Sequence, residues 1–125
     1  MPYMFLNGTA MAGGALHHLV GDSPLVAATT TAPRYRFYAV DGDYPGLRPV
    51  EDGGAAVQGE VYDMSYEQLR DFLLPSEPEG LELGVIELAD GSPSLAMVLR
   101  RPYGLPDHLV DISELGSWRA YREQS

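Results

Sequence analysis

The sequence predicts an α+β fold: a small six-stranded β-barrel, mixed or antiparallel, with two or three short helices flanking it. Three observations predict it. Turn formers are dense, with 14 Gly and 10 Pro in 125 residues, so the elements should be short. Several short runs are β-branched or alternate in polarity, the signature of strands. Strand runs do not alternate regularly with long helical runs, which argues against a doubly wound parallel sheet.

In chain order, residues 3–6 read as a short buried strand that stops at Asn7-Gly8-Thr9. A glycine pair, Gly13-Gly14, leads into a short helix over 14–20. A strand that feeds a helix through small residues suits an anion, because the turn N–H groups and the helix N-terminus converge. Residues 25–31, "LVAATTT", read as a strand punctuated by Pro33, which biases the preceding residue to extended geometry. Residues 34–40, "RYRFYAV", alternate: Tyr35, Phe37 and Ala39 share one face, Arg34, Arg36 and Tyr38 the other. "DGDYPGLRP", 41–49, reads as a loop. Residues 57–64 read as a strand, with Gly59 marking a weak point or a bulge.

Ser65 opens a helix, with Gln68 at the capping-box position. Tyr66, Leu69, Phe72 and Leu73 form its apolar stripe, and Pro75 ends it. "LGVIEL", 83–88, and "SLAMVL", 94–99, flank Ala89-Asp90-Gly91-Ser92, a hairpin signal. The tail reads as helical from Asp111 as N-cap, with Glu114 at the capping-box position.

Composition narrows the chemistry. With no cysteine, disulfides and thiolate catalysis are excluded. All eight basic residues are Arg, so lysine Schiff-base chemistry is excluded too. A net charge of −10 repels phosphate backbones, so no nucleic-acid partner is expected. No apolar run approaches the ~20 residues of a membrane span, and the N-terminus lacks the basic and apolar segments of a signal peptide. The expectation is one cytoplasmic domain over residues 1–125, without membrane contact. No metal or other cofactor is expected. His17 and His18 are adjacent and on a helix point roughly 100° apart, so they cannot share an ion by themselves. They and His108 read as surface or helix-end residues. HExxH, P-loop and GxSxG patterns are absent.

Carboxylates remain as candidates. Glu77 and Glu79 sit in "PSEPEG", a proline-stiffened loop between a helix and a strand. They are either solvated loop acids or, beside a pocket where burial raises the pKa, a general acid/base. Glu60 lies inside a strand pattern and faces either the interior or water. Tyr44-Pro45-Gly46-Leu47 reads as a pocket wall or an ordinary crossing. Arg36 and Arg48 can pair with a substrate carboxylate. Trp118 and Tyr121 suit either a partner surface or a core anchor.

"FLNGTAMAGG", 5–14, resembles the first strand and substrate loop of the gamma-glutamylcyclotransferase-like fold. The usual form there is Tyr-Gly-Ser/Thr-Leu, and Asn7-Gly8-Thr9-Ala10 stand in its place. Pro45-Gly46-Leu47 and "GEVYDM", 59–64, match the same fold. A closer likeness runs through "TTAPRYRFYAVDGDYPGLRPVEDGGAAVQGEVYD", "LGVIELADGS" and "DISELGSWRAYR". Over roughly residues 4–122 the chain looks like the C-terminal domain of allophanate hydrolases, here free-standing.

The resemblance implies a six-stranded barrel whose first turn (Asn7, Gly8, Thr9, Ala10) holds substrate through backbone N–H groups. It implies a glutamate after the central helix that moves a proton from a substrate amine; this falls at Glu77, or at Glu79 if the loop is gapped differently. In allophanate hydrolases the domain is linked to the second step, breakdown of the N-carboxycarbamate released by an amidase domain. Those domains commonly carry Gly-Ala-His where this chain has Gly8-Thr9-Ala10, and an apolar-proline stretch in place of Ser76-Glu77-Pro78-Glu79.

Two functions follow as expectations. One is a small enzyme that acts on an amino-acid or carbamoyl-type compound through a glutamate acid/base. The other is an accessory domain that assists an amidase in trans, since these 125 residues contain no amidase domain. The partners implied are a small molecule with a carboxylate or carbamoyl group and either a second copy of the chain or an amidase.

Overall fold

The structure, a computed structural model, describes residues 2–100 and 109–124. His108 lies outside the described residues. The chain forms one curled mixed sheet, a half-barrel, with short helical segments against it. The strands are β1 (Tyr3–Leu6), β2 (Leu25–Thr30), β3 (Tyr35–Val40), β4 (Tyr44–Pro49), β5 (Gln58–Asp63), β6 (Leu81–Glu87), β7 (Pro93–Leu99) and β8 (Leu109–Asp111). Their order is β2-β5-β1-β7-β4-β3-β8, with β6 also on β7.

Among the described residues the sheet thus has eight strands where six were expected. The first addition, β4, lies where Pro45, Gly46 and Pro49 suggested a loop. It forms because its full-length pairing is with β3, from Tyr35↔Pro49 to Val40↔Tyr44, a hairpin closed by Asp41 and Gly42, both at positive φ. The second, β8, pairs its three residues with β3. Asp111 is therefore a strand residue and not a helix cap; its carboxylate accepts the Ser113 N–H at 2.9 Å.

β7 organises the site. β6 runs antiparallel along its whole length, Leu81↔Leu99 to Glu87↔Pro93. A strand has only two edges, so β1 and β4 must share the other. β1 takes the early part in parallel, Met4↔Leu95 and Phe5↔Ala96. β4 takes the later part, also in parallel, at Leu47↔Val98. The end of β1 and the start of β4 therefore splay apart over the middle of β7.

The core fills the inside of the curl with Phe5, Phe37, Leu47, Val57 and Val61, each 2% exposed or less. The alternation of β3 is as the sequence suggested: Tyr35, Phe37 and Ala39 are buried, Arg36 and Tyr38 half-buried. Glycines at crossings let elements meet. A Cβ on Gly46 would lie 2.4 Å from a Leu99 methyl, and one on Gly59 would lie 2.5 Å from the Leu6 carbonyl oxygen.

Ser65 caps its helix, its Oγ accepting the Gln68 N–H at 3.0 Å. The Gln68 side chain does not close a capping box; it donates to the Leu19 carbonyl at 2.8 Å. Helix α1 (Tyr66–Gln68) widens into a π turn over Leu69–Leu73 and tightens into a 3-10 turn over Leu74–Ser76. Leu69 and Leu73 are buried, while Tyr66 and Phe72 are exposed. The helix expected over 14–20 is a single 3-10 turn, His17–Val20. The C-terminal helix is α2 (Trp118–Gln124). Trp118 is a core anchor, 3% exposed, with Tyr121 stacked on it at 5.2 Å.

Candidate functional site

A cavity of about 160 Å³ opens where β1 and β4 splay. It gathers Asn7, Gly8, Thr9 and Ala10 from the turn after β1, and Tyr44 and Pro45 from the start of β4. Glu77 comes from the loop after the 3-10 turn over Leu74–Ser76. Residues far apart in sequence meet here because the fork in the sheet faces the end of that helix. Met97 of β7 lies at the fork, and Leu16, Leu19, Leu73 and Leu81 supply apolar wall.

Not every candidate is brought to this place. Gly46 and Leu47 lie one and two residues too far along β4, and Leu47 is fully buried core. Glu79 is exposed and outside the lining. Arg36 is held elsewhere: its guanidinium donates to Asp111 Oδ2 at 2.6 and 3.2 Å and to the Gly53 carbonyl at 2.8 Å. Asp43, Ser76, Pro78 and the leucines line the cavity unpredicted. The apolar stripe holding Leu73 was visible in the sequence, but nothing marked Met97 or Asp43.

The turn has a defined hydrogen-bond pattern. The Gly8 carbonyl accepts the Met11 N–H at 3.1 Å, and the Thr9 carbonyl accepts the Leu16 N–H at 3.0 Å. The Ala10 carbonyl lies 2.9 Å from His17 Nδ1, which serves as its donor. In a trans peptide the N–H lies opposite the carbonyl. The Thr9 and Ala10 N–H groups therefore point away from these bonds. Among the described residues, the N–H groups of Gly8, Thr9 and Ala10 make no hydrogen bond. Asn7 Nδ2 is also buried without a partner among the described residues.

Glu77 lines the same cavity as these donors, with a carboxyl that makes no hydrogen bond among the described residues. Burial pushes its pKa from 4.5 up to about 7. The cause is desolvation, which disfavours the charged form, and nothing offsets it. A carboxyl titrating near neutrality can both give and take a proton at physiological pH.

The far limb of the turn is fixed by Glu60, which lies on the face of β5 opposite Val61 and is 8% exposed. It accepts the Ala12 N–H at 2.8 Å, the Tyr62 hydroxyl at 2.9 Å and Arg119 Nη2 at 3.1 Å. Desolvation pushes the Glu60 carboxyl upward, but these bonds outweigh it and hold the pKa below the usual range. Tyr62 moves the other way, pushed up to about 12 by burial and by the Glu60 carboxylate.

Among the described residues no cluster of His, Cys, Asp and Glu could hold a metal ion, and no helix is long and apolar enough to cross a membrane.

The half-barrel, with its cavity at the fork and its glycine turn after β1, is the gamma-glutamylcyclotransferase-like fold. The aig2-like protein of Mus musculus shares it, with a TM-score of 0.63 at 19% identity over 86% of this chain and 82% of that one; at that identity the likeness shows the fold alone. Residues 3–123 match the family model described as "Allophanate hydrolase C-terminal domain", and the chain belongs to that family. A uropathogenic E. coli-specific protein is similar at 32% identity and a TM-score of 0.88, over 99% of this chain and 97% of that one. Kluyveromyces lactis allophanate hydrolase is similar at 28% identity and a TM-score of 0.89, over 98% of this chain. This chain spans only 21% of that enzyme's length. Comparison with curated proteins finds no match.

Proposed function

We propose that the chain binds a small amino-acid or carbamoyl-type compound in the fork cavity, and that Glu77 moves a proton on the compound's nitrogen. The observation that carries this reading is the pairing, in one cavity, of a carboxyl titrating near pH 7 with N–H groups that have no partner among the described residues. A carbonyl or carboxylate oxygen of the ligand would accept from Thr9 and Ala10 N–H and from Asn7 Nδ2. For Asn7 Nδ2, which is buried, a donor left unmet costs about 1–3 kcal/mol, which such an oxygen would recover. As negative charge develops on that oxygen, donors already in place stabilise it. Glu77, with its proton free to leave or arrive, serves the nitrogen beside the carbonyl. The same arrangement fits an amine attacking its own carbonyl and a carbamate nitrogen protonated as it leaves.

The test is turnover of a panel of γ-glutamyl and N-carbamoyl or N-carboxy compounds by the wild type and by Glu77→Gln. The expected result is turnover by the wild type of at least one, lost in Glu77→Gln with the fold intact. A fully active Glu77→Gln would remove Glu77 from the chemistry.

A second reading is favoured by one observation: the similar region is a fifth of the K. lactis enzyme. Here the chain acts as an accessory domain for an amidase, consuming or holding the amidase product in trans. It predicts no turnover alone and turnover when an allophanate-cleaving amidase is added.

A further inference from the structure

We propose that Glu60 and Arg119 are positioning residues that clamp the turn at 8–14 in the shape that leaves the Thr9 and Ala10 N–H groups unoccupied. This inference rests on the reading that those donors meet the ligand.

Ala12 is gripped at both of its polar atoms. Its N–H donates to Glu60 Oε1 at 2.8 Å, and its carbonyl accepts Arg119 Nη2 at 2.6 Å. The same Arg119 nitrogen reaches Glu60 Oε2 at 3.1 Å, so acid, turn and arginine close a ring. The ring reaches from the end of β1 to Ala12, most of the way round the turn. Glu60 pairs with Leu6, the last residue of β1 before the turn begins, and Ala12 lies well past its middle. The arginine comes from a fixed platform, because the neighbouring Trp118 is buried in the core.

A buried carboxylate in a strand is a costly filler unless hydrogen bonds compensate for lost solvation. Of the three donors to Glu60, one is the turn itself and one is the arginine that holds the turn's carbonyl. Neither Glu60 nor Arg119 lines the 160 Å³ cavity, so neither acts on a ligand there directly. They act through the turn, by holding its peptide planes in one orientation.

The experiment uses the full chain, ¹⁵N-labelled, as wild type, Arg119→Ala and Glu60→Gln. It reads amide exchange at Ala12 and Leu16, and 5-oxoproline as the probe of the cavity. Arg119→Ala should speed exchange at Ala12 and Leu16 at least tenfold, with Phe5 and Val61 unchanged. It should weaken 5-oxoproline binding at least tenfold while leaving the Glu77 titration near pH 7 in place. Glu60→Gln keeps one oxygen as acceptor for the Ala12 N–H but turns an amide N–H toward Arg119, losing that hydrogen bond and the ion pair; since Arg119 still reaches the Ala12 carbonyl, the effect of this variant should be smaller in both readouts. Unchanged exchange at Ala12 and Leu16 in both variants overturns the clamp. Faster exchange with undiminished probe binding overturns the positioning role. If wild-type Thr9 and Ala10 amides do not respond to 5-oxoproline, the donor reading falls, while the exchange rates still decide the clamp.

Discussion

Gly8 lies directly against the ring of Pro45: a Cβ at Gly8 would come within 2.9 Å of both Pro45 Cδ and Cγ. This contact joins the turn after β1 to the start of β4, the two lips of the cavity. The ring is bonded to its own backbone and cannot swing aside, so an added methyl must part the lips. Gly8→Ala should destabilise the protein by about 1–3 kcal/mol, as overpacking does. It should also weaken binding of a small carboxylate. Denaturant unfolding and calorimetric titration with 5-oxoproline check both.

On the proposed reading, Glu77 sets the pH dependence of activity. Its carboxyl titrates at about 7, so its ionised fraction climbs through neutrality. If the carboxylate takes a proton from a substrate amine, kcat/KM rises as pH passes from 6 to 8. A rate that falls over the same range assigns Glu77 the acid role, protonating a departing carbamate nitrogen. In either case the inflection disappears in Glu77→Gln, and a pH–rate profile of both proteins reads it.

The same residue makes stability pH-dependent. The pKa is raised on folding from 4.5 to about 7, so the folded state holds its proton over a range where the unfolded chain has lost it. Stability then falls as pH rises from 4.5 to about 7 and levels off above. Glu77→Gln removes this cost. It should be more stable than wild type at pH 8 by up to about 3 kcal/mol, and near parity at pH 4. Urea melts at the two pH values decide it.

Arg36 and Glu79 serve as contrasts. Arg36 ties β3 to β8 through Asp111, and Glu79 sits in the same short loop as Glu77 but outside the cavity. Arg36→Ala and Glu79→Gln should leave ligand affinity and the pH profile unchanged. A tenfold loss of affinity in either variant would move the site.

Ser65 holds the start of the segment that delivers Glu77. Ser65→Ala removes the acceptor of the Gln68 N–H and should cost about 1 kcal/mol. A fall in melting temperature with the Glu77 titration unchanged is the expected result.

Several elements were legible in the sequence for physical reasons. The alternation of β3, the β-branched run of β2 and the Asp-Gly turn between β6 and β7 are local signals, and each formed as read. The strand β4 was not legible, since Pro45, Gly46 and Pro49 are poor strand formers, and only tertiary pairing with β3 and β7 holds them extended. For β8, pairing with β3 overrode the helical reading of Asp111. Within the candidate site, spacing along the chain could not show that Asn7, Tyr44 and Glu77 share a cavity, because a fork in the sheet brings them together. Glu60 was left facing inside or out; it lies on the face of β5 opposite the inward Val61, and the structure supplies the three donors that let it be buried there by the turn and α2.

That fork has a consequence for how such a protein can change. The hollow exists because two parallel strands compete for one edge of β7, not because its lining residues are small. Replacing those residues alters the contour and chemistry of the space but leaves the fork itself in place. Closure would require Leu6 and Tyr44 to bond the same stretch of backbone. A chain of this fold can therefore change what lines the hollow and keep its place, because the place is set by strand pairing.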